Sequence, residues 1–160
     1  MNPTKEQILE WLEEVKDPEI PVLSLVDLGV ITNIHIAPDE VIVEMTPTFV
    51  GCPAIDMMKD EVGQILKDKG VPCVTVDVNF RTQWSSDLIT EKGKKALKGF
   101  GLAPPPATTV FEDIDILEHA ACPRCNGTDT ELKNPFGPTL CRSIHYCNTC
   151  KEAFEQFKPI

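Results

Sequence analysis

Two short cysteine pairs near the C-terminus constrain this chain more than any other feature. Cys122-Pro-Arg-Cys125 and Cys147-Asn-Thr-Cys150 are C-x2-C knuckles separated by 21 residues. Two thiolates three positions apart can chelate one ion, and a second pair completes a tetrahedral shell. The intervening segment is long enough for a hairpin to fold back. A unit of about 40 residues cannot build a self-sufficient core, so a metal would supply much of its folding free energy. Zinc, Zn(2+), is the expected ion. Iron or an iron–sulfur cluster is the rival, because the same thiolates serve both. A closed four-thiolate site has no open position, so the ion is structural and not catalytic. Cys141 is an extra thiol between the knuckles: a buried small residue, a spare ligand, or a thiol near the metal. His119 and His145 flank the site, and four cysteines leave neither needed as a ligand.

Charge narrows the partners. The chain carries a net −10. Residues 1–103 hold 10 bases against 17 acids, residues 104–118 add four acids, and residues 119–160 hold 5 bases against 4 acids. A nucleic-acid binder would present a basic face. None is visible, so protein partners are expected and nucleic acid is not. No apolar run approaches the ~18 residues that a membrane helix needs. The start, MNPTKEQILEWLEEV, is acidic and amphipathic, unlike a signal peptide, which implies a cytoplasmic protein. Seven cysteines in such a chain read as metal ligands or reactive thiols before disulfides.

Upstream of the knuckles the pattern is α-β-β-α-β-α. Thr4 with Gln7 forms a capping box for a helix over 4–16, whose face carries Ile8, Leu12 and Val15. Pro18 and Pro21 end it. Residues 29–36 and 41–46 read as a hairpin, with Val30, Thr32, Ile34 and Ile36 on one face. A helix from Pro53 to about Lys69 follows, then a strand over 73–80, then a helix capped by Thr90. This predicts an α+β domain over 1–103, with helices on a small mixed sheet. A proline-led acidic linker over 104–118 joins it to a four-cysteine zinc ribbon over 119–160.

Cys52 sits just before Pro53, at the predicted helix start. The helix dipole and free N–H groups there would lower its thiol pKa and make it a reactive or metal-binding group. The alternative is a buried cap cysteine without chemistry. Asp17, Glu19 and Asp27 can cap backbone N–H groups or supply hard ligands beside Cys52. Cys73 opens an alternating strand and is expected in the core. His35 is expected on an outward face, and Trp84 either packs its loop over the sheet or lines a contact surface. No phosphate-binding loop and no nucleophile triad is present, so the chain does not read as an enzyme.

Asp17-Pro-Glu-Ile-Pro-Val22, Val26-Asp-Leu-Gly29 and Thr46-Pro-Thr-Phe-Val-Gly-Cys-Pro53 together resemble the signature of the metal–sulfur cluster assembly (SufT-like) family. With Pro135-Phe-Gly-Pro-Thr-Leu-Cys141, the two knuckles and Phe154-Glu-Gln-Phe-Lys158, the chain is similar more narrowly to PaaD-like accessory proteins of the phenylacetyl-CoA epoxidase (phenylacetate-CoA oxygenase) system. The wider family often reads Ala-Pro-Gly-Cys-Pro where this chain has Phe49-Val-Gly-Cys-Pro53, and its general members lack the ribbon. The resemblance implies iron–sulfur cluster assembly or delivery, with the 2Fe–2S reductase of the oxygenase complex as client. It carries Cys52, Asp17 and Glu19 over as the residues that hold iron or a cluster in transit. One thiolate is a poor cage, so a homodimer pairing two Cys52 residues follows from that role. The alternative is a non-catalytic structural subunit binding the reductase or other subunits of the complex.

Overall fold

Thr4 starts the first helix as its side chain predicts: Oγ1 accepts from Gln7 N–H, and Gln7 Oε1 accepts from Thr4 N–H. Helix α1 spans Lys5–Leu12, shorter than expected, and buries Ile8 and Leu12. The computed structural model describes residues 2–49, 51–106, 118 and 120–159. Residues 107–117 of the expected linker, and His119, lie outside them. The chain divides into two units, Met1–Trp84 and Ser85–Ile160.

In the first unit the loop after α1 is held by Asp17, whose Oδ1 accepts from the N–H groups of Glu19 at 2.8 Å and Ile20 at 2.9 Å. A short helix α2, Leu25–Leu28, follows; sequence periodicity does not register so brief an element. Ser24 Oγ caps it at Asp27 N–H, and Gly29 closes it at φ 77°. Asp27 is therefore engaged in the cap. Strand β1 (Ile31–Ile36) pairs antiparallel with β2 (Val41–Met45), and β2 pairs in parallel with β3 (Val74–Val78). Helix α3, Ile55–Asp68, makes the crossover between β2 and β3. This is the mixed sheet of an α+β unit, in the order β1-β2-β3.

Central β2 buries Val41, Val43 and Met45 on one face. Their partners Val74, Val76 and Val78 extend that face to β3, where they are half-buried. α3 contributes Met58, Val62 and Leu66 to the core. Each such side chain adds about 1.5–3 kcal/mol by leaving water. β1 departs from strict alternation because its register shifts between Ile31 and Asn33, so exposed Thr32 does not share the face of buried Ile34; Ile36 does share it, and is exposed at the end of the strand. His35 is exposed, as expected, beside Glu44 at 3.3 Å. Trp84 is buried and donates Nε1–H to Leu28 O at 3.1 Å, so it packs its loop down onto the domain.

Cys73 corrects the sequence reading: it is exposed. It lies one residue before β3 and gives its carbonyl to Val41 N–H, so backbone pairing begins there while the side chain stays outside the apolar row.

In the second unit a 3-10 turn, Ser86–Leu88, precedes helix α4, Glu91–Phe100, which Thr90 caps at Gly93 N–H. A four-stranded sheet follows in the order β4-β7-β6-β5, with β4 Leu102–Ala103, β5 Thr130–Asn134, β6 Arg142–Cys147 and β7 Ala153–Phe157. The sequence reading ends the first domain at residue 103. In the structure α4 and β4 group with the second unit, because β4 adds in parallel to β7 through Leu102↔Glu155 and Ala103↔Gln156. Cross-strand partners share a sheet face. Ala103, Cys147 and Phe154 join Ala120 and Cys122 in a small buried cluster, with Cys150 packed against it.

Candidate metal centre

The two knuckles repeat one backbone design. Asn126 N–H donates to Cys122 O at 2.9 Å, and Lys151 N–H donates to Cys147 O at 2.9 Å. Cys122 N–H donates to Gly127 O at 2.9 Å, and Cys147 N–H to Glu152 O at 2.9 Å. The residue after each second cysteine is left-handed, Asn126 at φ 60° and Lys151 at φ 61°. Asparagine tolerates that region, whereas lysine is strained there by about 1 kcal/mol. Nothing in the composition of Cys147-Asn-Thr-Cys-Lys151 announces the left-handed turn; the match to the first knuckle is the only signal for it.

Four sulfurs converge as a result. Cys122 and Cys150 Sγ stand 3.7 Å apart, and Cys125 and Cys147 Sγ 3.6 Å apart. All four lie within 4.8 Å of one another. Metal–sulfur bonds of about 2.3 Å at tetrahedral angles put sulfurs about 3.8 Å apart, so the cage fits one ion. A cluster spreads its thiolates over two or more irons and needs wider spacing than this. Backbone N–H groups point at the sulfurs: Gly127 N–H reaches Cys125 Sγ at 3.3 Å. The N–H groups of Cys150 and Thr149 draw the Cys147 thiol down to about 6. Burial pushes Cys150 up to about 12, with its neighbouring thiols adding to the rise.

Cys141 is buried and outside the cage, with Thr139 Oγ1 at 3.0 Å from its sulfur. His145 is fully buried, its Nε2 2.9 Å from Ser143 Oγ and its ring stacked on Phe154 at 5.4 Å. It supports the sheet behind the knuckles and is not among the four converging groups.

The first unit carries the other candidate thiol, Cys52. Cys52 is half-buried, just ahead of α3 and after Gly51 at φ 84°. The expected lowering of its pKa is overturned: the thiol is raised above its ordinary value. Burial is the main cause. The N–H groups of Ala54 and Ile55 favour the thiolate, but the charges of Asp17 and Glu19 oppose it. Helix α3 also begins later than expected, at Ile55, so Cys52 is not a capping residue of it. The carboxylates opposing the thiolate come from the loop after α1, more than 30 positions away in sequence. The structure therefore brings Asp17, Glu19 and Cys52 into one electrostatic neighbourhood. A cation arriving there would turn repulsion between thiolate and carboxylates into attraction.

Comparison with known proteins agrees with this two-part architecture. The profile of iron–sulfur cluster assembly proteins matches residues 5–78, and that of the PaaD zinc beta ribbon domain matches residues 107–158. Over 158 residues the chain is 30% identical to a protein from Escherichia coli (strain K12) whose name makes it a subunit of 1,2-phenylacetyl-CoA epoxidase, covering 99% of this chain and 94% of that one. The chain belongs to the PaaD family. An Fe–S protein maturation auxiliary factor from Porphyromonas gingivalis is 40% identical to it over 91 residues, covering 56% of this chain and 86% of that relative. A solved domain of unknown function from Bacillus anthracis matches with TM-score 0.55 at 26% identity, covering 58% of this chain and 90% of the other. PaaD-family membership thus joins an iron–sulfur assembly domain to a metal-binding ribbon. Among the described residues no helix is long and apolar enough to cross a membrane.

Proposed function

We propose that this chain is a non-enzymatic accessory protein that matures the 2Fe–2S reductase subunit of a phenylacetyl-CoA epoxidase. Its ribbon holds one zinc ion on Cys122, Cys125, Cys147 and Cys150. Its first domain carries iron or a cluster in transit at Cys52, aided by Asp17 and Glu19. What supports this reading is a half-buried thiol that feels the charges of those two carboxylates, within the stretch that matches iron–sulfur cluster assembly proteins. Such a thiol binds a cation only by giving up its proton, and that competition keeps the cargo releasable. One thiolate needs further ligands, which a second copy would supply.

The test is the iron and sulfide content of the reductase subunit, made with this protein, without it, and with its Cys52→Ala form. Cluster content that rises only with the intact protein supports maturation. Equal content in all three removes it. The end-to-end likeness to a protein named as an epoxidase subunit favours a second reading, a structural subunit of the complex. That reading requires stoichiometric co-purification with the other subunits and tolerates loss of Cys52.

A further inference from the structure

The metal centre leaves unused a groove of about 350 Å³ in the second unit. Phe100, Leu102, Ile144 and Phe154 give it an apolar lining, and Arg124 and Arg142 give it guanidinium groups. Arg142 is nearly buried and held by Glu155 at 3.0 Å, so it is fixed in place. Arg124 is exposed and bridges to Glu152 at 3.2 Å, an ion pair that water and salt weaken. The groove opens where α4 ends at Phe100, which is 45% exposed. The helix leading to it carries Lys92, Lys94, Lys95 and Lys98 against a single acid, Glu91, in a chain of net −10. It buries only Gly93 and Leu97, and Lys92, Lys95 and Lys98 are exposed. Lys98 Nζ is anchored on Asn126 Oδ1, two residues beyond Arg124 in sequence.

The exposed Phe100 ring in an otherwise mixed lining calls for one large apolar side chain, and the cations beside it call for carboxylates. Nucleic acid fits poorly, because its phosphates form a continuous run of charge that a few cations, two of them already paired with Glu152 and Glu155, cannot neutralise along its length. We infer that the groove docks a segment of the client protein in which one large apolar residue is flanked by Asp or Glu. This rests on the maturation reading and adds to it the surface by which the client is recognised.

The experiment measures binding of the full-length, metal-loaded chain to the purified cluster-free reductase subunit by titration calorimetry, at low salt and at raised salt. The same samples are then assayed for cluster gain. A Phe100→Ala, Arg124→Glu double variant alters two exposed side chains, and its metal content and circular dichroism report that the fold is kept. The expected result is a loss of affinity of about tenfold or more in the double variant, with wild-type binding weakened by salt. Lys5→Glu, an equal charge reversal in the first unit, leaves the affinity within about twofold. The inference is overturned if the double variant binds like wild type, or if Lys5→Glu weakens binding as much. It is also overturned if the wild-type chain fails to bind the reductase, or if single-stranded RNA binds in a groove-dependent way. Should the reductase fill with cluster regardless of this chain, the maturation reading falls, while the affinities still decide the groove.

Discussion

Gly127 donates its backbone N–H to Cys125 Sγ at 3.3 Å, and it stands too close to the opposite knuckle to carry a side chain. A Cβ there would lie 2.9 Å from Thr149 Oγ1 and 3.1 Å from Cys125 Sγ. Gly127→Ala must therefore spread the knuckles or turn the sulfur away from the ion. The expected outcome is a metal site at least about tenfold weaker, a cost of about 1.4 kcal/mol, read by competition with a chromophoric chelator. Adding Thr149→Ala should restore only part of the affinity, because the Cys125 contact persists. Unchanged affinity in Gly127→Ala would mean that the cage does not form as described.

Metal removal should act on one unit and spare the other. The ribbon's apolar cluster is small and two of its members, Cys122 and Cys147, are themselves ligands. The first unit has its own core, from Ile8 and Leu12 through Val43 to Leu66. A strong chelator should abolish amide-exchange protection in β5, β6 and β7 while β1, β2 and β3 keep theirs. Loss of protection in both sheets at once would show that the first unit depends on the ion.

Charge at Asp17 and its hydrogen bonding can be separated by substitution. Asp17→Asn keeps an oxygen to accept from the Glu19 and Ile20 N–H groups but removes the charge that opposes the Cys52 thiolate. The Cys52 pKa should fall toward its ordinary value, with stability little changed. Asp17→Ala should lower the pKa as well, and should also destabilise the unit by about 1 kcal/mol through the lost acceptor. The measurement is the pH dependence of alkylation at Cys52, followed on the peptide that contains it, alongside urea unfolding. A Cys52 profile identical in wild type and Asp17→Asn would remove the acidic loop from this site.

What the sequence makes legible follows the range of the interaction concerned. The capping box at Thr4, the alternation of Val74, Val76 and Val78 and the two knuckles are set by neighbours within a few positions, and each is readable. The pKa of Cys52 is not. It depends on burial and on carboxylates from a distant loop, which outweigh the nearby N–H groups that local reasoning sees. Cys73 fails for a related reason, since a strand's alternation does not say where its first inward side chain falls. The parallel addition of β4 to β7 joins residues more than 50 positions apart, and the two-residue Leu102-Ala103 strand carries no periodicity of its own.

His145 offers a pH test of the ribbon that is separate from its thiols. Burial lowers the imidazole pKa below its ordinary 6.5, with neighbouring Gln156 partly offsetting the drop. The unfolded chain then binds a proton more readily than the folded one. Stability from this group is complete above the unfolded value of about 6.5 and is lost as pH falls through the window down to the folded pKa. The metal-loaded wild type should weaken on acidification from pH 7 toward pH 5, beginning near 6.5. His145→Gln cannot titrate, so its stability should fall less over the same window, though from a lower starting value because the stacking on Phe154 is lost. Urea midpoints of the ribbon at several pH values, with metal content followed in parallel, make the comparison. If both proteins weaken in parallel, protonation of the thiolate ligands is the cause and the histidine contributes nothing.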